Sequence, residues 1–435
     1  MSAKQAYAKP TRRLPDMPPE IWLEILRVAT WLPEFSEAEY AHIDFLDAPY
    51  KEVYKDLWPV LVTKSALTRV CKQWNIWTTP FLYESIFVGR GRVLSSLCNA
   101  LRGPTASANA NSEEEPQLEC GQPGRYTKRL DIALRCYSTS PINVVGGDEA
   151  GHDDWVQLTS IINMLPNLET VKFLISTTYR LQIPTKVMQA IATTCGPSLQ
   201  VLDWHPPSPS PSLTDLSGLL RRTPNLRVLR AVPSLYTQHP YTEWDDLAET
   251  PITLSHLTEL SAEWIHLGLD RRCRIPTPPP LNHLILKDNH WEDFLKVHGP
   301  SLTRLSLIPL HKRTIDWTIA SFATNLRRLD IQVTDWLFFP RNLFIPPTCT
   351  HVGISSRANQ AENYVYRRLA EVLRQLRGEC WEMLIFLNDR DVRDLCQRHP
   401  KMVRPIMDSV AVRGVRTSNS HGQSLALLVP REYLY

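Results

Sequence analysis

Serine, cysteine, histidine and carboxylate side chains do chemistry only when their spacing lets them converge, and few of these 435 residues have such spacing. Gly89-Arg90-Gly91 supplies two glycines of a phosphate-cradling loop but no third, and no acidic residue follows it in a strand–helix–strand setting. Cys396 and His399 stand close together with Cys380 upstream, but a zinc site needs a second close ligand pair, so packing and a helix end account for them. His152-Asp153-Asp154 and Asp245-Asp246 are paired acids in polar, turn-like stretches, where a solvated carboxylate is the ordinary state. Neither a Gly-x-Ser-x-Gly elbow nor a His-Glu-x-x-His pair occurs. The nine cysteines are scattered and form no Cys-x-x-Cys, which fits thiols in a reducing compartment. These observations predict a non-catalytic protein that uses no cofactor and no metal.

Two short signatures near the start say more. The first is Met17-Pro18-Pro19-Glu20-Ile21-Trp22-Leu23-Glu24-Ile25-Leu26, and the second is Val70-Cys71-Lys72-Gln73-Trp74, leading to Pro80-Phe81-Leu82-Tyr83. Pro18 and Pro19 suit the first turn of a helix, where a missing N–H costs nothing, and Asp16 is placed to cap it. Ile21, Ile25 and Val28 repeat at helical spacing, with Leu26 and Ala29 widening the stripe. A second helix is predicted from about Thr63 or Ser65, with a stripe through Leu67, Val70, Cys71, Trp74 and Trp77, and Pro80 marks its end or a break. Such a pair either packs on its own protein or offers its apolar face to a partner's helices.

In this order the two signatures resemble an F-box, the helical module by which an adaptor hangs from the Skp1 subunit of a cullin-type ubiquitin ligase. Met17-Pro18 stands where the family has Leu-Pro, and Glu20-Ile21 and Ile25-Leu26 fit its first helix. Val70-Cys71-Lys72 and Trp74 fit its Val-Cys-basic-x-Trp segment, and Leu82-Tyr83 stands near its closing Leu-Trp. The departure is an insertion of about 30 residues at about 33–62, where the family has a short turn and helix. The resemblance implies a helical module over 14–90. Its Met17, Pro18, Ile21, Ile25, Leu26, Val70, Cys71 and Trp74 would dock a Skp1-like protein and, through it, a cullin.

Beyond residue 125 the chain repeats the phrase Leu-x-x-Leu-x-apolar. It reads Leu168/Val171/Phe173, Leu199/Leu202/Trp204, Leu226/Leu229/Ala231, Leu257/Leu260/Ala262, Leu281/Leu284/Leu286, Leu302/Leu305/Leu307 and Leu326/Leu329/Ile331. A degenerate copy follows at Cys349/Val352/Ile354, and Leu130/Ile132 leads the series. The first positions step by 21 to 31 residues, in or near the leucine-rich-repeat range. Pro166-Asn167, Gly196-Pro197-Ser198, Pro224-Asn225, Gly299-Pro300-Ser301 and Asn325 recur as turns before the phrase. One such unit cannot bury its own apolar face, so neighbours must stack. The pattern predicts an α/β fold: a leucine-rich-repeat-like solenoid of parallel strands over 126–356, with no asparagine ladder beyond Asn289. Convex helices are predicted over 155–164, 186–194 and 213–222. The segment 357–435 reads as a C-terminal α/β cap with helices at 363–376 and 389–398 and a buried strand at 383–387, and 91–125 as a linker with a mobile acidic loop. The whole chain resembles the basidiomycete-type F-box-like proteins of mushroom-forming fungi.

The solenoid's concave positions name the candidate target contacts: Lys172, Asp203, Arg230, Glu263, Lys287 and Asp330, with Trp264 and Trp336 as anchors. Their charges are mixed and the formal net charge is only +3, which argues against nucleic acid or an anionic membrane and leaves a protein partner. The polar N-terminus has no signal-like apolar core, and no run is long enough to span a bilayer, so a cytoplasmic or nuclear location is expected. The resemblance implies a substrate-recognition adaptor. The competing expectation is a repeat scaffold whose F-box-like helices only cap the first strand.

Overall fold

The computed structural model describes residues 17–30, 57–103, 122–134, 149–175, 183–204, 208–209, 211–230, 254–261, 280–286, 292–308, 322–340, 343, 345–356, 362–376 and 380–433. Among the described residues three helices lead: α1 (Pro19–Thr30), α2 (Leu57–Leu67) and α3 (Lys72–Tyr83). A twelve-stranded parallel sheet follows, its strands neighbouring one another in chain order. They are β1 (Ser85–Val88), β2 (Arg129–Ile132), β3 (Thr170–Phe173), β4 (Val201–Trp204), β5 (Val228–Arg230), β6 (Glu259–Ser261), β7 (His283–Leu286), β8 (Arg304–Leu307), β9 (Arg328–Val333), β10 (His351–Ser356), β11 (Met383–Phe386) and β12 (Arg416–Asn419). Parallel neighbours need a crossover, and helices supply several. These are α4 (Leu94–Arg102), α5 (Glu149–Ile162), α6 (Thr185–Ala190), α7 (Leu213–Leu220), α8 (Glu292–His298), α9 (Asn363–Gln375), α10 (Asp389–Arg393) and α11 (Pro400–Ala411). The fold is α/β.

The repeated leucine explains the register. Leu130, Val171, Leu202, Leu229, Leu260, Leu284, Leu305, Leu329, Val352 and Leu384 lie side by side across neighbouring strands. All of them except the partly buried Leu260 are sealed from solvent. Side chains alternate along a strand, so this row and the row two residues on face the helices while the intervening positions face the other way. A one-residue slip would turn every leucine outward, which is why the register is strict.

The recurring lead-in turns are clamps between units. Asn167, Asn225 and Asn325 each donate from Nδ2, at 2.7 Å, to the carbonyls of Arg125, Pro197 and Pro300 in the preceding unit. Directly before those three acceptors stand Gly124, Gly196 and Gly299. A Cβ there would overlap the carbonyl oxygen of Met164, Arg222 or Phe322 in the next unit. The same relation occurs three times, with the clamping Asn three residues after the crowding carbonyl. Ser198 makes the equivalent reach to the Pro166 carbonyl at 3.1 Å, and Ser301 to that of Leu281 at 3.0 Å. These three asparagines precede β3, β5 and β9, which are not neighbours, so they are separate clamps and form no continuous ladder. Asn289 lies outside the described residues.

Several boundaries move. The first strand, β1, falls inside the segment assigned to the helical module, and α4 occupies part of the proposed linker, with Leu94 and Leu101 in the core. The segment assigned to a cap adds β11 and β12 to the same sheet instead. Its strands lack the full leucine phrase, which hid their membership. The helix predicted from about Thr63 through Trp77 is two helices, α2 and α3, parted at Thr68–Val70. Pro80 sits inside α3, which continues to Tyr83. The predicted helices at 186–194 and 389–398 each switch midway to a wider π turn, at Ile191–Cys195 and Asp394–Arg398.

Candidate docking surface

The three leading helices pack on one another and divide their apolar residues between two environments. In α1 the amides of Ile21 and Trp22 donate to the Pro18 carbonyl at 3.0 and 3.3 Å, closing the first turn that the two prolines favour. Leu26 turns inward at 1% exposure, and the Thr30 hydroxyl donates back to the Leu26 carbonyl at 2.7 Å. Trp22 meets Trp74 of α3 with ring centroids 5.5 Å apart. On its other face α1 shows solvent Ile21 (49%), Ile25 (44%) and Val28, one every turn.

Cys71 explains why the second signature has its form. It is the N-cap of α3 in extended conformation, and its Sγ accepts the Trp74 amide at 3.5 Å. Asn75 Nδ2 reaches back to the Thr68 carbonyl at 2.9 Å, fixing the turn between α2 and α3. Trp74 is thereby held half-buried against Trp22, while Val70 and Ile76 stay exposed. From α2, Trp58 (71%) and Val62 also face solvent. Lys64 is buried, and that burial pulls its pKa below the ordinary lysine value against the opposing attraction of Glu84, the residue before β1.

Of the eight candidate docking residues, Pro18, Ile21, Ile25, Val70 and Cys71 are exposed and Met17 and Trp74 half-buried. Leu26 is the correction: it fills the space between helices and offers nothing to a partner. Sequence reasoning missed Trp58, Val62 and Ile76. Trp58 and Val62 are four apart on one helix, a signal that was there to be used had α2 not been read partly as insertion. The bulk of that insertion, 33–56, lies outside the described residues.

The candidate target contacts fare differently. Glu263, Trp264 and Lys287 lie outside the described residues. Trp336 is 1% exposed and packs on Phe339 and Phe386, at 6.3 and 6.1 Å between centroids, so it is a core residue and no surface anchor. Lys172, Asp203 and Asp330 are buried and Arg230 nearly so, which removes them from the exposed surface. The reason is the strand spacing: rows of side chains about 4.8 Å apart let opposite charges pair across strands.

The resulting ladder crosses most of the sheet. Arg129 grips Asp131 at 2.9 Å, and Asp203 lies 3.9 Å from Lys172 and 3.5 Å from Arg230. Arg230 also pairs with Glu259, whose other oxygen stands 3.2 Å from His283 Nδ1. His283 Nε2 meets the Ser306 hydroxyl at 2.9 Å, and Asp330 takes Arg304 at 2.6 Å and Arg328 at 2.9 Å. Burial pushes the Lys172 ammonium down to about 8, with Arg129 adding to the effect against the pull of Asp203 and Asp131. Burial alone would raise Glu259 and Asp330. Arg230, with His283 hydrogen-bonding, for the first and Arg304 and Arg328 for the second outweigh it and hold both carboxyls below their ordinary range. His283 is pulled below its usual value by burial, in spite of Glu259. Gly353, next along the row, has no side chain because a Cβ would overlap the Asp330 carboxylate.

Glu259, His283 and Ser306 stand in the order of a nucleophile relay. The same hydroxyl also lies 3.4 Å from Asp330, which ties these groups into the ladder. Gly91 lies under the Asp154 carboxylate, which a Cβ would overlap, and burial raises that acid's pKa, with neighbouring Asp153 adding to it. Cys396 is buried and Cys380 exposed, and His399 Nδ1 is 2.8 Å from Asn363 Oδ1. Asp245-Asp246 lies outside the described residues. Among the described residues no cluster of three His, Cys, Asp or Glu is arranged to hold a metal, and no helix is long and apolar enough to cross a membrane.

No protein-family model matches this sequence, and no curated protein matches it.

Proposed function

We propose that this protein is the substrate-recognition adaptor of a Skp1-cullin-type ubiquitin ligase. Its F-box-like helices dock a Skp1-like protein in the cytosol or nucleus, and a leucine-rich-repeat-like solenoid, built on the parallel sheet, binds a protein target. The observation that carries this reading is the outward face of α1, where Ile21 and Ile25 stand nearly half exposed in the free chain. Covering the exposed half of such a side chain recovers about 1 kcal/mol, so a helical partner has a driving force. Val70, Ile76, Trp58 and Val62 on the neighbouring helices add to it. An adaptor needs no reacting groups of its own, since it works by raising the local concentration of target near the catalytic subunits.

A second reading, in which the helices only cap the sheet, draws on the inward face. Leu26 is buried, Lys64 is held near Glu84, and α3 packs against the turn Pro123–Tyr126. The two readings use opposite faces, which makes them separable. The test is co-purification of a recombinant Skp1-like protein with the wild-type chain and with Ile21→Asp/Ile25→Asp, alongside circular dichroism and melting of both. The adaptor reading expects binding by wild type and loss of it in a variant that folds normally. Absence of binding by a folded wild type would leave the cap reading in place.

A further inference from the structure

The charges on the sheet face turned away from the helices balance at one end and not at the other. There β2–β7 set Arg129, Lys172 and Arg230 against Asp131, Asp203 and Glu259, so each cation has a carboxylate. On the same face β8–β12 carry Arg304, Arg328 and Arg416 against Asp330 alone. That carboxylate is already shared, with Oδ2 taking Arg304 at 2.6 Å and Oδ1 taking Arg328 Nε at 2.9 Å.

The surplus lies in one row. Register places Arg304, Arg328, His351, Met383 and Arg416 side by side at the starts of five neighbouring strands. Solvent reaches this row: Arg416 is exposed, the Arg328 side chain is 29% exposed, and His351 and Met383 are partly so. In the next row Asp330, Gly353, Ile385 and Ser418 are sealed. Arg328 commits only its Nε, and neither Nη has a partner among the described residues. The Arg416 side chain makes no hydrogen bond or ion pair among the described residues, and neither does that of Glu382, the exposed acid before Met383. His351 Nδ1 faces the Thr350 hydroxyl at 2.8 Å, which leaves its Nε2 to solvent.

We infer that this row binds an extended acidic segment of a protein target, with carboxylates about four residues apart on Arg328 and Arg416 and an apolar side chain between them on Met383. The inference rests on the reading that the sheet receives a protein target and is independent of Skp1 docking. Strands lie about 4.8 Å apart, so three steps from Arg328 to Arg416 span roughly 14 Å, which an extended chain covers in about four residues. Alternate residues of such a chain share a face, so the middle one falls beside Met383 and His351. A guanidinium edge matches a carboxylate in shape and charge. One exposed pair contributes little, but two on a rigid face act together, because the second closes within the complex. Nucleic acid needs a long basic track, and the rest of this face is charge-balanced.

The test is fluorescence anisotropy of the full chain with the labelled peptide Gly-Ser-Glu-Ser-Leu-Ser-Glu-Ser-Gly, at low salt and with no Skp1-like protein present. Wild type is expected to bind it at least about tenfold more tightly than the same peptide with both Glu replaced by Gln. A peptide with the two Glu adjacent should bind about threefold more weakly. Arg416→Glu, whose side chain stands in solvent, is expected to weaken binding by about tenfold, and Arg328→Gln by about fivefold. Arg227→Glu, an equally exposed arginine just before β5, should change binding by less than about twofold. Melting of each variant is recorded alongside, and Arg416→Glu carries the test if Arg328→Gln disturbs Asp330. Absence of binding by wild type, equal binding of the Glu and Gln peptides, or an equal loss in Arg227→Glu and Arg416→Glu would overturn the strip. Tighter capture of mixed-sequence single-stranded DNA than of the peptide, lost in Arg416→Glu, would overturn the protein segment as its occupant. Either failure leaves Skp1 co-purification untouched, and failed co-purification leaves the peptide result standing.

Discussion

The leading helices and the sheet use side chains in opposite ways. In α1, α2 and α3 isoleucine, valine and tryptophan face water, while in β2–β9 lysine, arginine, aspartate, glutamate and histidine are sealed away from it. Stability alone explains neither. Exposed apolar faces forgo burial that the helices could have had against their own chain. A buried ion ladder gains little over apolar packing, because desolvation offsets the Coulombic attraction. The helices leave a surface unfinished, which suits a partner. The sheet closes its surface onto itself, which suits register and rigidity: every carboxylate of the ladder has a specific cation on its own or a neighbouring strand, and a slipped strand would leave it without one.

Substitutions that attack this contrast should differ widely in effect. The largest belongs to the leucine row: Leu202→Ala is expected to cost about 2–5 kcal/mol in urea unfolding, since the sheet and helices cannot close around the gap. A cost under about 1 kcal/mol would mean the row is not the core. Gly353→Ala forces a methyl onto the Asp330 carboxylate and is expected to cost about 1–3 kcal/mol. A stability gain there would show that the ladder yields easily at its end.

Lys172→Met tests whether buried charge stabilises at all. The lysine is held at about 8 in the fold and returns to its ordinary value of 10.5 on unfolding. Below pH 8 it is charged in both states and the full desolvation cost is present. Between about 8 and 10.5 the unfolded chain binds the extra proton, so wild-type stability should gain from this group as pH rises. The methionine variant should lose that rise and be about 1–2 kcal/mol more stable at pH 7. Identical pH profiles for the two proteins would refute the assignment.

Smaller still is the clamp, where Asn225→Ala should cost about 1 kcal/mol, the worth of one hydrogen bond. Smallest is Ile21→Asp, expected to shift stability by no more than about 0.5 kcal/mol because its side chain is already half in water. If its melting temperature instead fell sharply, the α1 face would be structural and the contrast between the two regions would close.

Much of the fold was legible because parallel stacking repeats one requirement at every unit. The apolar phrase from Leu168 to Ile354 carries the strands in their order, and the amphipathic stretches at 155–164 and 363–376 are helices α5 and α9. Legibility stopped where a unit drops the phrase. Ser85–Val88 keeps only Ile86 and Val88 of the phrase, in register with Leu130 and Ile132, and Arg416–Asn419 places Thr417 and Asn419 there, joining the sheet through backbone pairing that any residue except proline provides. For the candidate surface, α1 and its outward isoleucines followed from periodicity. The inward turn of Leu26, next to exposed Ile25, depended on where the neighbouring helices lie.

By itself the sequence determined the local vocabulary: a proline-started helix, a capped second signature, and leucines spaced so that strands must stack. It also determined which residue types would stand in the rows facing away from the helices. Only the tertiary structure decided that Lys172, Asp203, Arg230, Glu259, His283 and Asp330 meet one another instead of a partner, and that Trp336 lies in the core. The physical reason is distance. Periodicity is a property of a few consecutive residues. Charges 24 to 31 positions apart come within pairing range only after parallel strands align in register.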